Sequence, residues 1–175
     1  SFALEFISAF TGMGLIWSGR YEEGYRKVAR CVDMFTAAGI GLMVPMYQTN
    51  MSDALGQMDR TDEGLELIER AIDLTNETGE RFYAAETYRI KGELLLGKSR
   101  DRDAEEAFQD SLRIAADQKA KGWELRTAMS LARLWRRQNK SSEAHDLLSP
   151  VHDWFTEGFD TADLKAAKAL LQELA

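Results

Sequence analysis

Polar turns divide the chain into segments in which apolar residues recur at helical spacing. In one such segment Leu65, Ile68, Ala71 and Ile72 return every three or four positions, which places them on one face of an α-helix. The same spacing elsewhere predicts four helix pairs, at 2–18 and 21–38, 44–58 and 61–78, 82–98 and 101–118, and 121–138 and 141–157. A last helix is predicted over 163–174, with Thr161 as its N-cap.

The predicted helix pairs repeat every 40 residues, and small residues mark the repeat. Three columns hold small or modest side chains at this period: Gly12, Ser52, Gly92 and Ala132; Gly24, Gly64, Ala104 and Ala144; and Cys31, Ala71, Ser111 and Val151. Two columns between them hold large apolar residues: Leu15, Leu55, Leu95 and Trp135; and Val28, Ile68, Phe108 and Leu148. Small residues let two antiparallel helices approach closely, and large ones fill the space beside them.

Each repeat has small residues spaced twelve and then seven positions apart, with a large apolar residue between the first two. This pattern resembles the tetratricopeptide repeat. The resemblance implies an all-α, right-handed helical-repeat solenoid of four helix pairs, with repeats at 1–40, 41–80, 81–120 and 121–160 and a capping helix over 161–175. The unit is longer than the usual 34 residues. It also lacks the family's Trp, whose column holds Ser8, Gln48, Tyr88 and Ala128, and the family's Pro, whose column holds Thr36, Asn76, Ala116 and Thr156.

Three segments carry a narrower resemblance. Residues 83–96, 123–135 and 154–164 resemble the C-terminal repeat region of bacterial signalling proteins that join an adenylate/guanylate cyclase domain to an AAA-type ATPase. This likeness implies a cytoplasmic module of such a protein, without its catalytic residues. The chain also opens with Ser1 inside an apolar run, so we expect a fragment of a longer protein.

Charge and composition exclude several classes of protein. The net charge of −7 argues against a general nucleic-acid binder, and a single cysteine, Cys31, excludes a disulfide framework. The uncharged stretch 34–52 contains Gly39, Gly41 and Pro45, so it predicts a helix end and a turn rather than a membrane span.

The motifs that resemble catalytic or cofactor-binding sites are all better explained by structural roles. Residues 92–99 match the P-loop expression, but the leucine run predicts a helix where a phosphate loop needs a strand and a turn. His145 and His152 are seven positions apart, which is the wrong spacing for a helical metal pair. We therefore expect no catalytic residue, no cofactor and no metal.

The resemblance implies that the first helix of each pair lines a groove. Counted from the small column, the groove positions are Phe6, Ala9, Met13, Ile16 and Trp17; Met46, Thr49, Asp53, Gly56 and Gln57; Glu86, Arg89, Glu93, Leu96 and Gly97; and Arg126, Met129, Arg133, Arg136 and Arg137. The groove would run from apolar to basic, and guanidinium groups at its basic end suit carboxylates or phosphates. The partner-binding candidates are Arg89, Glu93, Arg126, Met129, Arg133, Arg136 and Arg137. Clustered helix charges that have no partner are the alternative interpretation.

These observations predict a non-catalytic module that binds a protein segment or a neighbouring domain of the same polypeptide. Two alternatives stay open. An enclosed pocket would favour a small-ligand sensor, and a two-fold patch around Phe2, Phe6 and Trp17 would favour homo-oligomerisation.

Overall fold

The structure, a computed structural model, describes residues 2–175, with the side chain of Phe2 left out. These residues form nine α-helices and no strand. The helices are α1 (Phe2–Trp17), α2 (Tyr21–Ala37), α3 (Val44–Gln57), α4 (Thr61–Thr78), α5 (Ala84–Gly97), α6 (Asp101–Asp117), α7 (Lys121–Arg137), α8 (Ser141–Asp153) and α9 (Ala162–Leu174). The predicted all-helical fold is therefore confirmed.

The turn that joins the two helices of a pair has the same backbone conformation in all four pairs. Gly19, Asp59, Ser99 and Asn139 all have a positive φ, between 56° and 84°. The next residue donates its N–H to a carbonyl five positions back, as Arg20 does to Leu15 at 2.8 Å and Arg100 does to Leu95 at 3.0 Å. This is the Schellman end of a helix, and it stops the first helix of each pair at the same place.

Small side chains bring the two helices of a pair close together. A Cβ atom on Gly24 would lie 2.6 Å from the carbonyl oxygen of Gly12, and a Cβ on Gly92 would lie 2.4 Å from the ring of Phe108. Ala104, Ala132 and Ala144 in the same columns are fully buried. The predicted packing role of these columns is confirmed by these contacts.

The array curves towards its first helices. Neighbouring first helices touch each other, α1 with α3, α3 with α5, and α5 with α7, whereas α2, α4, α6 and α8 make no such contacts with one another. The first helices α1, α3, α5 and α7 therefore line the inner surface. Helix α9 touches both α7 and α8, so it occupies the place of a further first helix.

The prediction was wrong at the end of α8 and correct about the N-cap position of α9. Helix α8 ends at Asp153 rather than 157, because the chain turns and packs Phe155 against the core between α7 and α9. Thr161 lies at the N-cap position of α9, but its hydroxyl donates to the Gly158 carbonyl at 2.7 Å and not to the helix. No helix among the described residues is long and apolar enough to span a bilayer.

Candidate interaction surface

Polar side chains join each first helix to the next along the inner surface. Trp17 of α1 donates its indole N–H to the Asn50 side chain of α3 at 2.9 Å, and Asn50 donates to the Tyr83 hydroxyl at 3.2 Å. The buried hydroxyls of Thr49 and Thr87 lie 2.8 Å apart. Because these groups satisfy one another, the inner surface is polar without leaving them unpaired.

The most buried charge on this surface belongs to Glu86. Its side chain is 4% exposed, and its two carboxylate oxygens accept two hydrogen bonds from Arg89 of the same helix, each at 2.8 Å. Arg126 of α7 also contacts this carboxylate, with its Nη1 2.9 Å from Oε1. Two guanidinium groups thus share one carboxylate and tie α5 to α7.

Glu93 lies one turn beyond Arg89 on α5 and extends this network. Its Oε1 accepts a hydrogen bond from the Ser130 hydroxyl of α7 at 2.5 Å and lies 3.4 Å from Arg89. Burial by itself would lower the pKa of Arg89, but the hydrogen bond and charge of Glu86, helped by Glu93 and Asp53, raise the pKa overall. Arg89 therefore stays charged in its buried position.

Asp53 lines a cleft of about 130 Å³ between α3 and α5, together with Gln57 and Glu93. Burial raises the pKa of the Asp53 carboxyl, and nearby Glu86 raises it further, whereas Arg89 and a hydrogen bond from Gln57 lower it. The net shift is upward, so the folded protein binds a proton at Asp53 more tightly than the unfolded chain does.

We expect the Asp53→Asn variant to be more stable than the wild type at neutral pH. A raised pKa means that ionised Asp53 opposes folding above its folded-state pKa, and that this penalty disappears once the pH falls below the unfolded value. The melting-temperature difference should therefore shrink as the pH is lowered. Thermal melts followed by circular dichroism check this, and a variant that is less stable at neutral pH would contradict it.

Comparison with known proteins relates part of this chain to a repeat family. Residues 44–117 match the family model described as tetratricopeptide repeat. These residues form a tetratricopeptide-repeat region. No curated protein sequence matches the chain significantly. Tetratricopeptide repeats generally mediate protein–protein interaction.

Solved structures show the same fold over most of the chain. A Podosopora anserina structure described as "putative kinesin light chain nearly identical TPR-like repeats" is 15% identical, with a TM-score of 0.73, and the match covers 99% of this chain and 86% of that one. A single-substitution variant of that protein is also 15% identical, with a TM-score of 0.72 and coverage of 95% and 82%. At this identity the likeness extends to the solenoid fold alone.

The seven predicted partner-binding residues lie in very different environments. Met129 is 4% exposed and packs in the core with α8 and α9, so the prediction that it lines the groove was wrong. Arg89 is 11% exposed and held by Glu86, so it too is closed to a partner. Further positions that were predicted to line the groove are also buried: Ala9, Met13, Ile16, Met46, Thr49 and Glu86.

The remaining candidates differ in how far their charges are already paired. Glu93 is held by Ser130 and Arg89, and Arg126 is held by Glu86 and lies 5.5 Å from the centre of the Trp123 ring. Arg136 pairs with Glu173 of α9. Arg133 and Arg137 are exposed, and neither forms an ion pair with any residue that the structure describes.

Sequence reasoning missed the acceptors of these arginines. Glu86 and Arg126 are 40 residues apart, so opposite charges in one repeat column were the available signal for a pair between α5 and α7. Asp163, whose carboxylate lies 3.9 Å from Arg126, and Glu173 gave no such signal, because α9 lies outside the repeat pattern. Asn50, Tyr83 and Ser130 were also missed, since their bonds depend on the distance between neighbouring first helices.

The P-loop-like segment is confirmed as helix and turn. Residues 92–97 belong to α5, and the Lys98 ammonium lies 2.9 Å from the Asp62 carboxylate. No group of three metal-ligating side chains occurs among the described residues.

The inner cleft of about 130 Å³ is well below the roughly 300 Å³ at which small-molecule pockets begin. Larger clefts of about 480–500 Å³ are open to solvent, and one of them is lined by Lys121, Trp123 and Arg126. An open surface favours an extended partner over an enclosed small ligand.

Proposed function

We propose that this chain is a non-catalytic interaction module that binds an acidic protein segment along its inner surface. The observation that carries the proposal is the pair Arg133 and Arg137, which project from one side of α7 without a carboxylate partner in the described structure. The chain has a net charge of −7, so two unpaired arginines on neighbouring turns of α7 form a locally basic patch in an acidic protein.

The paired charges beside these arginines support the proposal. Glu86, Arg89 and Arg126 satisfy one another, so α5 and α7 are held in a fixed relation. A surface that is ordered before binding loses less conformational entropy when a partner arrives. Each free guanidinium can then donate two parallel hydrogen bonds to a carboxylate of the partner.

We further propose that the acidic segment belongs to the same polypeptide, and that this polypeptide is a larger cytoplasmic bacterial signalling protein of the cyclase–ATPase type. This step rests on the resemblance of residues 83–96, 123–135 and 154–164 to the repeat region of such proteins. In that setting the module would regulate or scaffold the catalytic domains.

A titration with a glutamate-rich peptide tests the binding surface. We expect salt-sensitive binding, and a loss of about 1–3 kcal/mol when either arginine is truncated, which is the usual value of hydrogen bonds to charged groups. The Arg133→Ala, Arg137→Ala double variant should lose most of the affinity measured by isothermal titration calorimetry.

The matched control removes two exposed arginines from second helices that, like Arg133 and Arg137, form no ion pair with a described residue, through Arg30→Ala and Arg70→Ala. It changes the net charge by the same amount but leaves the inner surface intact. Equal losses in both double variants would mean that the peptide responds only to overall charge, and the proposed surface would then be wrong. Absence of binding to the wild type would also overturn it.

A further inference from the structure

A small cleft on the inner surface combines carboxylates with apolar walls. It lies between α3 and α5, has a volume of about 130 Å³, and is lined by the carboxylates of Asp53 and Glu93. The side chains of Ile90 and Leu94 form part of its walls and are 3% and 4% exposed. This space, called the Asp53 cleft below, is too small for a whole ligand but has room for the end of one side chain.

Asp53 is the carboxylate of this region that no arginine neutralises. Arg126 lies 2.9 Å from Glu86, and Arg89 lies 2.8 Å from Glu86 and 3.4 Å from Glu93. Among the residues that the structure describes, no cation forms an ion pair with Asp53 within 4 Å, and the charge of Arg89 acts on it from farther away. A negative charge beside the cleft is therefore left without a close partner.

An ionised Asp53 at this position lowers the stability of the fold. Burial raises the pKa of its carboxyl, and the charge of Arg89 together with the hydrogen bond from Gln57 offsets this only in part. An asparagine would occupy the same space without that cost. A residue that opposes folding and lines an open cleft is typical of a binding site, because a ligand supplies the interaction that the protein lacks. A cation of the partner would do so here.

The size and chemistry of the Asp53 cleft favour lysine as the source of that cation. The lysine ammonium is a compact charge on a flexible four-carbon stem, whereas the guanidinium of arginine is broad and planar. The apolar walls formed by Ile90 and Leu94 suit the methylene groups of the stem, and the carboxylates suit the ammonium. Lysine therefore matches both parts of the lining.

The repeat places the Asp53 cleft in line with the free arginines of α7. Asp53 and Gln57 stand two repeats before Arg133 and Arg137, in the same two columns. Helix α5 lies between α3 and α7 and touches both. Neighbouring helix axes are about 8–10 Å apart, so the two charged sites are separated by roughly 16–20 Å. An extended chain advances about 3.3 Å per residue and covers that distance in about five or six residues.

We propose that the partner segment carries a lysine about five or six residues from its acidic stretch, and that this lysine enters the Asp53 cleft while the acidic residues bind Arg133 and Arg137. The inference rests on the proposed function, because it concerns the same surface and the same partner. Sites of opposite charge at two places on one surface also fix the direction in which the segment lies. A uniformly acidic segment would satisfy only one of them.

Isothermal titration calorimetry with designed peptides tests this inference. The test peptides carry one lysine five residues before or after a run of glutamates, and each reference peptide carries uncharged norleucine in place of the lysine. One of the two lysine peptides should bind the wild type about tenfold more tightly than its reference, as expected for a hydrogen bond to a charged group. A lysine directly beside the glutamates should give no gain, because it cannot reach the cleft.

The Asp53→Asn variant removes the charge from the cleft and keeps the shape of the side chain. It should bind each lysine peptide no more tightly than the matching reference. The control is Asp73→Asn, at an exposed position of α4, which removes the same charge outside the inner surface and should keep the gain from lysine. The thermal melts that compare Asp53→Asn with the wild type also establish that this variant folds.

Failure of the lysine site can be told apart from failure of the proposed function. Reference peptides that bind through Arg133 and Arg137, with no improvement from lysine at either placement, would overturn the lysine site and leave the acidic-segment surface standing. A gain that persists in Asp53→Asn would overturn the site too, since the lysine would then contact another residue. Peptides that do not bind the wild type at all would overturn both.

Discussion

Replacement of Glu86 by alanine is expected to destabilise the protein by about 3–5 kcal/mol, the usual cost of breaking a buried ion pair. The carboxylate is 4% exposed and neutralises Arg89, whose side chain is 11% exposed. Without Glu86 the Arg89 guanidinium keeps one ion pair, with Glu93 at 3.4 Å, and the more distant charge of Asp53, so a largely buried cation loses its principal partner. Urea unfolding at neutral pH measures the change in the free energy of unfolding.

Glu63→Ala is the matched control for this experiment. Glu63 also accepts two hydrogen bonds from an arginine three positions away, Arg60, but both side chains of that pair are largely exposed. Exposed pairs contribute at most about 1 kcal/mol. Similar losses in the two variants would show that the Glu86 carboxylate is not the centre of a buried network.

A leucine at Gly92 is expected to cost about 1–3 kcal/mol through overpacking. A Cβ atom alone would lie 2.4 to 2.8 Å from three atoms of the Phe108 ring, and Phe108 is fully buried, so neither side chain can move aside. Helices α5 and α6 must therefore separate. Thermal and urea unfolding both report this loss.

The control for Gly92 is Gly122→Ala, at an exposed position of α7 where a Cβ atom would meet nothing within 4 Å. Alanine favours the helix there, so the variant should be as stable as the wild type or slightly more stable. An unchanged melting temperature in Gly92→Leu would mean that the helices of this pair are not in close contact at Gly92.

The helices of the repeat were predictable because local and repeated signals agree. Polar turns, small-residue columns and a 40-residue period all point to the same boundaries, and the helices begin within about two residues of them. The period also explains the turn residues Asp59, Ser99 and Asn139, whose left-handed conformation recurs at each predicted helix end. Near residue 157 the period no longer applies, and there the prediction was wrong.

The charges of the inner surface were harder to predict, because pairing depends on the distance between helices. The arginines at 126, 133, 136 and 137 look alike in the sequence, as they share one side of α7. The structure separates them: Arg126 faces Glu86 of α5, Arg136 faces Glu173 of α9, and the other two face solvent. Helix periodicity gives the side of a helix, but it does not give the neighbour across from it.

An NMR titration measures most directly whether the inner surface is the binding surface. With ¹⁵N-labelled protein and a glutamate-rich peptide, we predict that amide signals shift along α7 near Arg133 and Arg137 and on the facing sides of α5 and α9. The signals of α4 and α6 on the outer side should stay in place. Shifts confined to the second helices, or no shifts at saturating peptide, would contradict the account.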